Sequence, residues 1–185
     1  MRLIVVTDIY GRTKCLEELL HSFSKRYDSI DLIDPYENLE IDFCNETEAY
    51  THFQEKIGLN GYTEKLYQYL RVNKISECHL LGFSVGASAV WVVSEMHQFN
   101  KKTKGICFYS SQIRNLSQVQ PKIEIDFYFS KMEPYFNVEA VISILRTKAK
   151  VNCFKTDYLH GFMNQKSKNY NADACNKYIE ILKKA

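Results

Sequence analysis

Leu80-Leu81-Gly82-Phe83-Ser84-Val85-Gly86-Ala87-Ser88 is the stretch on which the fold turns. The run Cys78–Phe83 is almost wholly apolar and reads as a buried strand. Residues 86–98 are mostly apolar too, but long enough to read as a helix that is central and well buried. Ser84 stands at the corner, inside Gly82-Phe83-Ser84-Val85-Gly86, a G-x-S-x-G pentapeptide. A sharp strand-to-helix turn lifts a serine hydroxyl clear of a sheet, and small flanking residues let the two backbones approach. The Val85 amide would open the helix and point at an oxyanion, helped by the helix dipole. The pentapeptide alone is also compatible with a tight turn that does no chemistry.

Outward from this corner, short apolar runs alternate with helical patterns. The runs are Leu3–Thr7, Ile30–Ile33, Cys78–Phe83, Lys104–Tyr109, Ile123–Ser130 and Lys150–Phe154. Several are nearly continuous in apolar residues, as in parallel strands covered on both faces. Between them, Leu16, Leu19, Leu20 and Phe23 form a helical stripe. Residues 46–71 carry a long helical pattern interrupted near Gly58-Leu59-Asn60-Gly61, and residues 137–147 and 172–184 supply two more helices. The alternation predicts an α/β class protein: a doubly wound, mostly parallel sheet of about six strands flanked by helices, with right-handed crossovers and no large lid. No repeat or linker divides residues 1–185, which read as one domain. Asn164–Ala172 and Ser110–Gln120 read as the most mobile segments. Ligands of such sheets bind beyond the carboxyl ends of the strands.

A serine nucleophile needs a base. His21, His52 and His97 fall in helical patterns and His79 lies inside a strand, leaving His160, in the loop after the last strand, on the same sheet edge as Ser84. The imidazole in turn needs an orienting acid. Glu133 is the one carboxylate in the loop after Ile123–Ser130; Asp126 lies within that strand and Asp157 is too near His160 in sequence. The order Ser84, Glu133, His160 follows. A second oxyanion donor is expected from Thr7-Asp8-Ile9-Tyr10-Gly11, through the amide of Ile9 or Tyr10. Four of the seven glycines (Gly11, Gly82, Gly86, Gly161) fall in these loops, where permissive backbone is useful.

Composition narrows the partners. The net charge of +2 and the lack of a basic stripe argue against nucleic acid and anionic membranes. No apolar run approaches the roughly 18–20 residues of a membrane span, and the first apolar stretch reads as a strand rather than a signal peptide. The six cysteines (Cys15, Cys44, Cys78, Cys107, Cys153, Cys175) form no C-x-x-C pair and read as reduced, buried thiols of a cytoplasmic protein.

With Thr7–Gly11, Gly82–Gly86, Glu133-Pro134-Tyr135-Phe136 and His160-Gly161-Phe162 in place, the chain resembles the dienelactone hydrolase family of the α/β-hydrolases over nearly its whole length. The resemblance implies an α/β-hydrolase fold whose first strand here corresponds to the family's third. It departs from the namesake enzymes in three ways: Ser84 stands for their cysteine nucleophile, Glu133 for the usual aspartate, and the arginines that bind the lactone carboxylate have no match. Asp8 falls where those enzymes carry an acidic residue near the nucleophile. Together these residues predict a serine hydrolase cleaving a small ester or thioester, with Ser84, His160 and Glu133 as triad, Val85 with Ile9 or Tyr10 as oxyanion donors, and no cofactor or metal. The substrate would be a small molecule, with no nucleic-acid or membrane partner, and the protein a monomer or homodimer. The alternatives are a non-catalytic binding module on the same fold, or an acyltransferase or peptidase using the same triad.

Overall fold

A computed structural model describes residues 1–184. Six parallel strands form one sheet: β1 (Arg2–Val6), β2 (Ser29–Ile33), β3 (His79–Phe83), β4 (Lys104–Phe108), β5 (Glu124–Phe129) and β6 (Val151–Lys155), in the order β2-β1-β3-β4-β5-β6. The chain moves from β1 outward to β2, then returns past β1 to β3. That reversal puts a topological switch point between β1 and β3, where open α/β sheets bind ligands.

Successive side chains of a strand point to opposite faces, and both faces here are covered. In β1, Ile4 and Val6 join the core beneath α2 (Glu46–Lys56), α3 (Gly58–Val72), α4 (Val85–Met96) and α5 (Val138–Leu145). Leu3 and Val5 face the other way, toward α1 (Lys14–His21) and α6 (Ala172–Leu182). This double burial is why β1, β3 and β4 read as continuous apolar runs. At the sheet edge, β6 alternates instead: Val151 and Cys153 are buried, Asn152 and Phe154 exposed. The helix α4 is the most deeply buried, with Trp91 fully enclosed, its ring edge-on to Phe127 and its Nε1 donating to the Leu116 carbonyl at 2.9 Å.

Side-chain caps start four helices. Thr13, Asn45, Asn137 and Asn171 each accept from a backbone amide in the first turn of α1, α2, α5 and α6. The long pattern at 46–71 resolves into α2 and α3, divided at Ile57 because Gly58 adopts φ +58°, a left-handed conformation that ends one helix and re-aims the next. The segment 110–120, expected to be loose, is tied down: it carries a 3₁₀ turn (Ile113–Asn115) whose Ile113 is fully buried, and Ser110 is hydrogen-bonded to Ser88 at 2.9 Å. The cysteines are all free, but only four are buried; Cys15 is partly exposed and Cys44 fully so, which corrects their reading as uniformly buried thiols.

Candidate active site

Ser84 caps α4 at φ +51°, ψ −112°, a region that costs a non-glycine residue about 1–3 kcal/mol and persists only when its surroundings impose it. They do so here. The Ser84 amide donates to Phe108 on β4 at 3.0 Å, and its carbonyl accepts from the Ser88 amide and the Ser88 hydroxyl, each at 3.2 Å. The two glycines of the pentapeptide are explained by backbone approach. A Cβ at Gly82 would meet the Ala87 Cα at 2.6 Å, and one at Gly86 would collide with the carbonyl oxygens of Val6 and Thr7 on β1.

The loops after β5 and β6 bring the next two residues to this corner. His160 Nε2 lies 3.0 Å from Ser84 Oγ, and His160 Nδ1 lies 2.8 Å from Glu133 Oε1. An ionised carboxylate only accepts hydrogen bonds, so the Nδ1 proton belongs to this contact and Nε2 is left to accept from the serine. Glu133 Oε1 also accepts from Ser130 Oγ at 2.7 Å, and its side chain is only 6% exposed. The two loops are tied where the Lys131 amide donates to the Tyr158 carbonyl at 2.7 Å. The Asn169 amide group donates to the His160 carbonyl at 2.9 Å, and the Tyr109 ring packs 5.0 Å from the imidazole.

The loop after β1 forms the opposite wall, where Asp8, Ile9 and Tyr10 share with Ser84 and His160 a cavity of about 20 Å³. Its backbone separates the two candidate donors. The Tyr10 amide is spent on Asp8 Oδ1 at 3.0 Å, whereas the Ile9 and Val85 amides have no acceptor among the described residues. Tyr36 fixes this loop by donating its hydroxyl to the Ile9 carbonyl at 2.6 Å, and the Asp8 carbonyl is taken by the Gly11 amide at 3.1 Å. Asp8 Oδ2 accepts from Asn164 Nδ2 at 2.5 Å. Burial pushes the Asp8 carboxyl above its ordinary pKa of 3.8, against the opposing pull of Asn164, the Tyr10 amide and nearby His160. Burial likewise pushes the Tyr10 phenol up to about 12, with Glu46 and Asp8 adding, so it stays a hydroxyl donor.

The other titratable candidates are occupied elsewhere. Asp126 is bound to Asn152 and Lys104, at 2.8 and 3.2 Å, and Asp157 is exposed. His79 meets the Tyr27 hydroxyl at 2.9 Å, His97 meets the Ile75 carbonyl at 2.8 Å, and His52 packs on Tyr36 and Phe43. Among the described residues no three His, Cys, Asp or Glu side chains are grouped to hold a metal ion, and no helix is long and apolar enough to cross a membrane. Sequence reasoning missed Ser130 and the Asp8–Asn164 pair. Ser130 directly follows β5, three residues before Glu133, a weak signal; Asp8 and Asn164 are 156 residues apart and left none.

An open parallel sheet switching direction at β1/β3, a strained serine between β3 and α4, and helices on both faces define the α/β-hydrolase fold. Solved structures of that fold superpose over nearly the whole chain at low identity. They include a dienelactone hydrolase-like promiscuous phosphotriesterase from metagenomic libraries (11% identical, 99% of this chain and 84% of that one, TM-score 0.66). Est1E from Butyrivibrio proteoclasticus, solved with ferulic acid bound, is 9% identical and covers 99% of this chain and 86% of its own, with a TM-score of 0.67. The enol-lactonase from Burkholderia xenovorans is 7% identical over 98% of this chain and 89% of its own, with a TM-score of 0.64. In sequence, the chain is similar to the uncharacterized protein YczH of Bacillus subtilis (strain 168), 27% identical over 191 residues, which cover 97% of this chain and 89% of the relative. No protein-family model matches the chain.

Proposed function

We propose that the chain is a serine hydrolase of the dienelactone hydrolase-like kind, cleaving a small ester or thioester through an acyl-enzyme. The observation that carries this reading is the hydrogen-bonded series Ser84 Oγ, His160 Nε2, His160 Nδ1, Glu133 Oε1, with links of 3.0 and 2.8 Å, on a serine held at positive φ. Ser84 Oγ attacks the carbonyl carbon while Nε2 takes its proton. The resulting imidazolium is stabilised by Glu133, and the oxyanion accepts from the free amides of Val85 and Ile9. Collapse expels the alcohol or thiol, which takes the Nε2 proton. Water then gives a proton to Nε2, attacks the acyl group, and releases the acid with Ser84 restored.

The space beside Ser84 favours a short acyl group, since longer chains gain about 0.8 kcal/mol per methylene only where those methylenes are buried. The absence of any lysine or arginine around that cavity argues against an anionic substrate such as a lactone carboxylate. Free thiols throughout fit a reducing compartment such as the cytoplasm. The test is a panel of acyl esters of graded chain length run beside Ser84→Ala. The expected result is turnover that peaks at short acyl groups and vanishes in the variant. Equal turnover in Ser84→Ala would overturn the reading.

A further inference from the structure

A second cavity, of about 220 Å³, opens behind the β1 loop, between α1 and α6. It dwarfs the space of about 20 Å³ beside Ser84. Part of its wall is apolar: Leu16 and Leu19 from α1, Phe83 from the end of β3, Met163, and Ile179 from α6. Its polar groups are spread along the cleft: Asp8, Thr13 and Asn164 stand near the β1 loop, Glu18 on α1 and Asn176 on α6.

Two residues connect it to the candidate active site. Asp8 lines both cavities. Tyr109 lines the larger one and packs its ring 5.0 Å from that of His160. Only a side chain or two therefore separates this cleft from the place where an ester carbonyl would sit, whereas the small cavity has room for little more than the reacting group.

Charge decides what the cleft accepts. Its lining holds two carboxylates, Asp8 and Glu18, and no lysine, arginine or histidine. A carboxylate or phosphate placed there would lose water without meeting any compensating cation, which is unfavourable. Size sets the other limit: about 150 Å³ is enough to hold benzene, so this cleft of about 220 Å³ has room for a group of about six to eight heavy atoms.

We propose that the cleft between α1 and α6 is a ligand pocket for one arm of the substrate, a neutral, compact apolar or aromatic group bearing at most a hydrogen-bonding substituent. The substrate role rests on the hydrolase reading above; the ligand pocket does not. That arm would lie behind the β1 loop while the carbonyl meets Ser84. This would make the preferred esters short on the acyl side of the carbonyl and bulky on the alcohol side.

Cys15 provides the readout, because it lines the cleft, is partly exposed, and hydrogen-bonds Gln165 at 2.9 Å. Cys44 is exposed elsewhere and serves as an internal reference. Alkylation of both thiols by iodoacetamide is followed by mass spectrometry as benzyl alcohol is added. The Cys15 rate is expected to fall saturably, by about tenfold at ten times the dissociation constant, with Cys44 unchanged. Benzoate at neutral pH is expected to give no protection. Ile179→Trp and Asn176→Trp fill the cleft from partly or fully exposed positions on α6, so at least one should fold. Either is expected to abolish protection.

In turnover, benzyl acetate and methyl phenylacetate put a ring on opposite sides of the carbonyl. With the acyl side short, benzyl acetate is expected to exceed methyl acetate in kcat/KM by about tenfold, roughly the yield of burying a few carbons, methyl phenylacetate to gain nothing, and the tryptophan variants to erase the benzyl advantage without changing methyl acetate. Cys15 labelling indifferent to benzyl alcohol, or equal protection by benzoate, overturns the pocket. Protection by benzyl alcohol in a protein that turns over no ester overturns the hydrolase reading alone.

Discussion

Glu133→Gln isolates the contribution of one charge. In the folded protein Glu133 Oε1 accepts from His160 Nδ1 at 2.8 Å and Ser130 Oγ at 2.7 Å, with little solvent contact. The amide is nearly isosteric, and its oxygen can keep both hydrogen bonds, so the loop should hold. In the proposed mechanism the lost quantity is the attraction between a carboxylate and the imidazolium that forms as Ser84 attacks. Two unit charges about 4 Å apart at an effective dielectric of about 20 interact by about 4 kcal/mol. At 1.36 kcal/mol per factor of ten, that is a loss of about 1,000-fold in kcat/KM. If the amide instead turns its NH₂ toward Nδ1, the wrong tautomer is favoured and the loss is larger. The assay is turnover of 4-nitrophenyl acetate by wild type and variant, with thermal unfolding to establish that the variant is folded. A rate within about threefold of wild type, equivalent to under 1 kcal/mol, would show that Glu133 does not support the base.

Ser130→Ala should lower kcat by about tenfold with KM unchanged, since a hydrogen bond to a charged group is worth about 1.5–3 kcal/mol; an unaffected kcat would remove Ser130 from the site's support. Gly86→Ala forces a methyl into the Val6 and Thr7 carbonyls and should cost about 3 kcal/mol, read as a fall in Tm of roughly 6–12 °C; an unchanged Tm would contradict the close α4–β1 approach. Asp8→Asn tests the buried carboxyl. Because burial raises its folded-state pKa above 3.8, the native protein binds that proton more tightly than the unfolded chain does. The carboxyl's stabilising contribution is therefore present below 3.8 and lost as pH rises through the folded value. The untitratable variant should gain on wild type as pH rises above about 3.8, by at most about 1.4 kcal/mol per pH unit, until the folded-state carboxyl has ionised; a pH-independent difference in urea midpoints would refute it.

Much of this architecture is legible in sequence because it is local. The apolar runs mark strands because both faces of β1, β3 and β4 are buried, and Gly82 and Gly86 mark the corner because backbone packs on backbone there. His160 emerges by exclusion, the other four histidines lying in helical or strand patterns that leave them packed or exposed. The remainder depends on contacts between distant segments. Which β1-loop amide is free is decided by the Asp8 carboxylate capturing Tyr10, and Asp8 is itself held by Asn164. The firmness of segment 110–120 comes from Ile113 entering the core and Ser110 meeting α4, and neither residue type announces it. The cleft between α1 and α6 is a gap between two helices at opposite ends of the chain, for which no short motif exists.

Whether Ser84 is a nucleophile is answered most directly by a fluorophosphonate probe. A strained serine within 3.0 Å of a histidine oriented by a carboxylate should react, and mass spectrometry should find the phosphonyl group on Ser84 alone. Ser84→Ala should be unlabelled and slower on an activated ester by about 1,000-fold or more, the scale on which a triad member matters. Labelling that persists in Ser84→Ala, or a folded wild type that does not label at all, would contradict the account.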